Sequence, residues 1–288
     1  MAPVAIVTDS THYLPAELAT ALDIHQVSLY CNWGDGPERE LDMPDFNAFY
    51  ERLRTGREFP TTSQPSVGDY LEVYEPLIEQ GCDILSIHLS GGISGTVDAA
   101  AQAKQLLEDR GVHGRIEVYD AQTAAGGLGG VVVAAAALAQ SGADLAAVGA
   151  RAREAREALE IWFCVDTLEY LQRGGRIGKA QAWIGGALKF KPILTLGEEI
   201  TPIERVRTAG RAFERMTEYL RSLHAAGSDA WIIQHVQAPE QAERMVALGR
   251  ELFGCEPLFV SEVGPVLGAY TGPGMLGVGG LPRSLATA

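Results

Sequence analysis

The sequence predicts an α/β protein of two domains, an N-terminal domain on a parallel sheet and a smaller C-terminal domain with a mixed sheet. Three observations lead there. Apolar strand-like runs alternate with helical segments through the first half, the β-α-β-α order of parallel strands covered by helices. Near residue 160 this alternation gives way to shorter apolar runs separated by long amphipathic helices. The length, 288 residues, supports about two hydrophobic cores. The expected division is 1–159 and 160–288.

The elements follow in order. "VAIVTDS" (4–10) reads as a buried strand ending in a polar turn, and "PAELATAL" (15–22) as a helix with Pro15 in its first turn. "HQVSLY" (25–30) reads as a strand, and "CNWGDGPERELDMP" (31–44) as a turn-rich excursion or hairpin. "DFNAFYERLR" (45–54) is amphipathic, and "FPTTSQPS" (59–66) is a loop with two prolines. Ser66 and Asp69 suit a capping box for a helix over 67–81.

A strand over 83–89 then meets "LSGGISGT" (89–96), which opens a helix from about residue 95. "RIEVYDA" (115–121) is the next strand. The polar-free run "AAGGLGGVVVAAAALA" (124–139) is shorter than the ~20 apolar residues a spanning helix needs, so it reads as a buried helix that admits close neighbours. A charged helix (144–160) leads into "IWFCVDT" (161–167). Strand-like runs at 192–196, 200–206, 230–236 and 257–263 alternate with amphipathic helices near 209–226 and 238–253. The glycine-rich "GPVLGAYTGPGMLGVGG" (264–280) reads as a tight turn between strands.

Composition excludes several functions. Acidic residues outnumber basic ones 37 to 23, a net charge of −14. A nucleic-acid binder needs a concentrated basic face, and attachment to anionic lipid is disfavoured for the same reason. Cys31, Cys82, Cys164 and Cys255 stand far apart without a C-x-x-C pair, and no H-x-x-x-H spacing occurs, so metal and redox motifs are absent. "MAPVAIVTDS" lacks a basic region before an apolar stretch and does not read as a signal peptide. The expectation is a cytoplasmic protein with no membrane span.

Parallel sheets bind ligands beyond the carboxyl ends of their strands. Three polar turns fall there, "TDST" (8–11), "LSGGISGT" and "DAQT" (120–123), with "TTSQPS" (61–66) as a fourth wall. This describes a site made mostly of hydroxyls, Ser63 and Ser90 among them. Ser94 admits two readings: a helix N-cap, or part of an anion receptor at the helix start. Thr62 either braces a turn or donates to the same anion. Asp9 either orients backbone N–H groups or is solvated. Gly91, Gly92 and Gly95 favour close approach of a ligand to the backbone. Tyr270 and Thr271 are further hydroxyl donors.

Rival motifs match poorly. "GISGT" lacks the last glycine of a nucleophile elbow. "GGRIGKAQ" (174–181) lacks the spacing of a phosphate loop, which leaves Arg176 and Lys179 as a basic contact or a solvated helix start.

Six stretches, in order, resemble the DegV family of bacterial fatty-acid-binding proteins: "VTDST" (7–11), "TTSQPS" (61–66), "SGGISGT" (90–96), "LQRGGRIGKAQAWIGGALKFKPIL" (171–194), "RVRT" (205–208) and "GAYTGPGMLG" (268–277). The resemblance implies one long-chain fatty acid, such as palmitate or oleate, in a buried tunnel, and no other cofactor. The carboxylate-binding threonine before S-Q-P falls on Thr62, and the serine of S-G-T on Ser94. It further implies the lipid-carrying subunit of a fatty acid kinase, without catalysis of its own, whose ATP-dependent partner subunit makes the acyl phosphate. Arg176 and Arg207 match basic positions of that handover. Tyr270 stands where many relatives have histidine, and Ser90-Gly91-Gly92 where they often read S-S-G. The alternative from the residues alone is a stand-alone enzyme acting on a small phosphorylated or acylated metabolite.

Overall fold

The structure is a computed structural model that describes residues 2–55, 58–112, 114–184 and 190–287. The chain begins with β1 (Val4–Asp9), α1 (Ala16–Ala21), β2 (Ile24–Val27), β3 (Tyr30–Asn32), β4 (Pro37–Arg39) and α2 (Asn47–Thr55). It continues through β5 (Thr61–Ser63), α3 (Val67–Glu79), β6 (Asp83–His88), α4 (Thr96–Asp109), β7 (Ile116–Asp120), α5 (Gly126–Gln140) and α6 (Leu145–Ala158). The remainder is β8 (Glu160–Cys164), α7 (Glu169–Arg173), β9 (Lys191–Leu196), β10 (Ile200–Val206), α8 (Ala209–Ala225), β11 (Ala230–His235), α9 (Pro239–Phe253), β12 (Phe259–Glu262), α10 (Pro265–Thr271) and β13 (Leu276–Leu281).

Strands β2-β1-β6-β7 form a parallel sheet. The central strand β6 is buried at every position, as expected of a parallel strand covered on both faces. The excursion after β2 becomes a small antiparallel sheet, β4-β3-β5. The stretch 61–63, read as loop, is its edge strand. Among the described residues, the strands after residue 159 join a six-stranded mixed sheet, β10-β9-β8-β13-β11-β12, in which β11 and β12 run parallel and the other neighbours antiparallel.

The Gly/Ala helix α5 lies between the parallel and mixed sheets. Its small residues let Leu85 and Ile87 approach on one side and Ile232, Phe259 and Leu281 on the other, in one shared core. A Cβ on Gly129 would lie 2.9 Å from Phe259 and 3.0 Å from the His12 carbonyl, so the close approach expected of this run is built into its sequence. Among the described residues, no helix is long and apolar enough to cross a membrane.

The C-terminal glycine run departs from expectation. In place of a tight turn it supplies α10 and the central strand β13. Glycine is ordinarily poor in strands. Here Gly279 and Gly280 each bring backbone within 2.9 Å of where a Cβ would sit, so the local signal for a turn is a packing requirement. The Ser66–Asp69 capping box is present in full.

Candidate functional site

A cavity lies where the small sheet, the β6–α4 loop and the mixed sheet converge. Leu29, Leu89, Ala125, Phe163, Leu196 and Val266 are among its apolar walls, while Thr62, Ser63, Gln64, Ser94, Tyr270 and Arg176 supply polar groups. The space open to the centre of a water molecule is about 100 Å³. That is room for on the order of eight water-sized spheres.

The polar groups cluster. Thr62 is the middle residue of β5, paired opposite Cys31, and is half-buried while Thr61 and Ser63 are exposed. Strand alternation produces that difference. The Thr62 Oγ1 lies 2.5 Å from the Tyr270 hydroxyl, which α10 delivers from the far end of the sequence. The Arg176 guanidinium sits 5.3 Å over the Tyr270 ring and donates to the Ile93 carbonyl at 3.3 Å. Gly174 allows this, since a Cβ there would overlap the Tyr270 ring. Ser94, next to Ile93, completes the cluster with its Oγ 2.8 Å from Thr96 Oγ1.

Ser94 is not a cap. The N-cap position of α4 belongs to Gly95 and carries no side-chain capping bond. The glycines of the loop serve protein packing and do not line the cavity. A Cβ on Gly91 would meet the Asp120 carboxylate at 2.9 Å, one on Gly95 would meet Gln64 at 2.7 Å, and one on Gly92 would overlap the Glu198 carbonyl. Ser90 is buried and donates to that carbonyl at 2.9 Å, so its hydroxyl joins the loop to the mixed sheet.

Thus Thr62, Ser63, Ser94 and Tyr270 come together at the cavity, and Ser90, Gly91 and Gly95 brace its rim. Arg176 is exposed and reaches the wall, whereas Arg207 is exposed just beyond β10, away from the lining. Residues 185–189 of the resembling stretch 171–194 lie outside the described residues.

Asp9 orients backbone, one of its two expected roles. Its Oδ2 accepts the Leu89 N–H at 2.9 Å and its Oδ1 the Thr11 N–H at 3.0 Å, which fixes the start of the β6–α4 loop. Behind it run His88, Ser86 and Tyr74, all fully buried and hydrogen-bonded in sequence. Burial pushes the Asp9 pKa up, but the bonds from His88, Thr11 and Leu89 outweigh it and hold the carboxyl below its usual range.

Three features go beyond the sequence reading. Gln234 is a buried amide in the wall; its Oε1 accepts the Gly126 N–H and its Nε2 donates to Ser261 at 2.9 Å, which anchors the start of α5. Arg176, read from the sequence as a basic contact or a solvated helix start, also covers the Tyr270 ring. Glu40, within the turn-rich excursion, is buried outside the cavity lining, and burial pushes its pKa up to about 7. No sequence pattern marks it. Among the described residues, no three His, Cys, Asp or Glu side chains converge as metal ligands.

Taken together, the geometry is an apolar cavity with neutral donors and one arginine gathered at one place. Such a site can hold an amphipathic anion: apolar walls take a hydrocarbon, and hydroxyls satisfy an acid group that would be unpaired in a dry cavity. Comparison with known proteins agrees in extent. The chain is 40% identical to a DegV domain-containing protein of Streptomyces coelicolor over 279 residues, covering 96% of this chain and 97% of that protein. It superposes with a TM-score of 0.86 on a fatty-acid-binding DegV family protein from Thermus thermophilus, at 33% identity, covering 97% of this chain and 99% of that one. It superposes equally, TM-score 0.86 at 32% identity over 98% and 100% of the two chains, on DegV, a fatty acid binding protein from Bacillus subtilis. The model described as "Uncharacterised protein, DegV family" matches residues 3–283, and the chain therefore belongs to the DegV family.

Proposed function

We propose that the protein binds one long-chain fatty acid in this cavity, with the carboxylate on the hydroxyls of Thr62, Ser94 and Tyr270, and presents it to an ATP-dependent kinase subunit that forms the acyl phosphate. The observation that carries the reading is that Thr62, Ser94 and Tyr270 all line one largely apolar cavity, with Thr62 and Tyr270 in direct contact. Each buried methylene stabilises the complex by about 0.8 kcal/mol, so the tail supplies affinity and the head group needs only enough donors to avoid an unpaired charge. The fatty acids bound by the Thermus and Bacillus relatives support the same ligand class.

In this reading the chain has no catalysis of its own. Arg176 stands at the exposed edge of the carboxylate end, where an incoming phosphoryl donor would meet it, and Arg207 contributes to docking the partner. The two domains, 1–159 and 160–288, enclose the tail between them.

The test is mass spectrometry of an organic extract of the purified protein. A stoichiometric long-chain fatty acid is expected. A preparation that carries none and takes up no added oleate overturns the reading.

A further inference from the structure

Glu40 has no contact with the cavity, yet its side chain ties together two segments that line it. It is 3% exposed. Its Oε1 accepts the Val266 N–H at 2.8 Å and the Tyr13 hydroxyl at 2.8 Å, and its Oε2 accepts the Ser10 hydroxyl at 2.6 Å. Val266 lies in the first turn of α10 and is itself a lining residue. The backbone N–H of Glu40 donates to Leu29, another lining residue, whose own N–H donates to Ser10 Oγ.

The contact is tight on all sides. A Cβ on Gly264 would lie 2.7 Å from Glu40 Oε1 and 2.6 Å from the Tyr13 ring. The Tyr13 hydroxyl also accepts the Leu267 N–H at 3.3 Å. Tyr50 holds the preceding carbonyl, Val263, at 2.6 Å. The start of α10 is therefore clamped by Glu40, Tyr13 and Tyr50. Tyr270 is four residues further along that helix, about 6 Å of axial rise, where it meets Thr62.

All three groups bonded to the Glu40 carboxyl donate to it. An apolar residue of similar size would leave the Val266 N–H buried and unpaired and would leave the Tyr13 hydroxyl only the Gly264 carbonyl, 3.4 Å away, as acceptor, and such groups seek other partners or drag the backbone with them. Displacements of about 1 Å suffice to spoil a hydrogen-bonded site.

Resting on the proposed fatty acid reading, we infer that Glu40 is a positioning residue for the carboxylate end of the cavity, acting through α10 to set Tyr270 against Thr62.

The test compares oleic acid with methyl oleate, each competing against a fluorescent fatty acid on delipidated protein. The ester keeps the tail and lacks the charge, so the affinity ratio reports the carboxylate site apart from the tunnel. The unmodified protein is expected to prefer the acid at least tenfold. Glu40→Leu is expected to bring the ratio within threefold of unity, while Glu40→Gln, which keeps an acceptor for Val266 and Tyr13, restores it. Tyr13→Phe, which keeps the ring and removes the hydroxyl that bonds Glu40, the Gly264 carbonyl and the Leu267 N–H, is expected to lower the ratio at least threefold, and it carries the test of the clamp on α10 if Glu40→Leu does not fold. Folded Glu40→Leu or Tyr13→Phe protein with an unchanged ratio overturns the role of Glu40. An unmodified protein that binds both compounds equally, or neither, overturns instead the carboxylate reading on which it rests.

Discussion

Substituting Ser94 by Asp separates ligand binding from helix stability, because the structure assigns Ser94 no capping bond. Among the described residues the Ser94 Oγ bonds the Thr96 hydroxyl, at 2.8 Å, and a carboxylate at the same place can accept from that hydroxyl. A negative charge just before α4 is favourable to the helix by about 0.3–1 kcal/mol. Melting of the ligand-free protein is therefore expected to stay level or rise slightly. Binding behaves oppositely. Two like charges about 4 Å apart repel by about 4 kcal/mol at the effective dielectric of a partly exposed site. Ser94 is half-buried and Arg176 lies nearby, which lowers this to about 2–4 kcal/mol. Oleate affinity should fall roughly 30- to 1,000-fold. Ser94→Ala removes one hydrogen bond, worth about 1 kcal/mol, and should lose only about fivefold. The assay is competition with a fluorescent fatty acid at pH 7.5, beside a thermal melt. Ser94→Asp protein that binds oleate within threefold of the unmodified protein would refute the placement of the carboxylate at Ser94.

Glu40→Gln should change how stability depends on pH. The folded pKa of about 7 lies above the ordinary 4.5, so the contribution of Glu40 is fully present below pH 4.5 and is lost as pH rises to 7. The substituted amide does not titrate, so the variant should gain about 3 kcal/mol on the unmodified protein between those limits and hold that advantage above them; melts that differ equally at pH 5 and pH 8 contradict it. Gly92→Ala should destabilise by about 1–3 kcal/mol, because its Cβ overlaps the Glu198 carbonyl and pushes the β6–α4 loop off the mixed sheet; an unchanged melting temperature counts against that contact. Thr62→Val and Tyr270→Phe should each weaken oleate binding about threefold, since the surviving hydroxyl is released to donate. The double variant should lose well over the product of the two, and an additive cycle argues that the hydroxyls act separately.

Most of the fold was legible because its signals are local. Apolar runs such as 83–89 became fully buried strands, and α8 buries Met216, Leu220 and Leu223 at helical spacing. What failed was local signal with a non-local cause. The glycines of 264–280 read as a turn, but Gly279 and Gly280 are small because other backbone segments press against β13. The loop 89–96 read as a ligand cradle for its glycines, whereas Asp120, Gln64 and Glu198 occupy the space they leave. Thr62 and Ser94 were visible as candidates since hydroxyls cluster at strand ends. Tyr270 was visible as a further hydroxyl donor, but its direct bond to Thr62 was not, because that bond joins residues 208 apart. Glu40 was invisible for a related reason: only the folded chain brings Ser10, Tyr13 and Val266 around it.

The pairing of the hydroxyls bears on why a carrier would use them. Thr62 and Tyr270 bond to one another, as do Ser94 and Thr96. Each pair spends one proton internally and keeps one to donate. Two pairs thus offer two neutral donors, a match for the two oxygens of one carboxylate. Arg176 stays committed to the Ile93 and Gly174 carbonyls and to the Tyr270 ring. A bidentate arginine would bind the acid group roughly twice as strongly per bond. On the proposed reading, neutral hydroxyl donors satisfy the carboxylate while it is bound and strand no buried charge of their own when the ligand leaves.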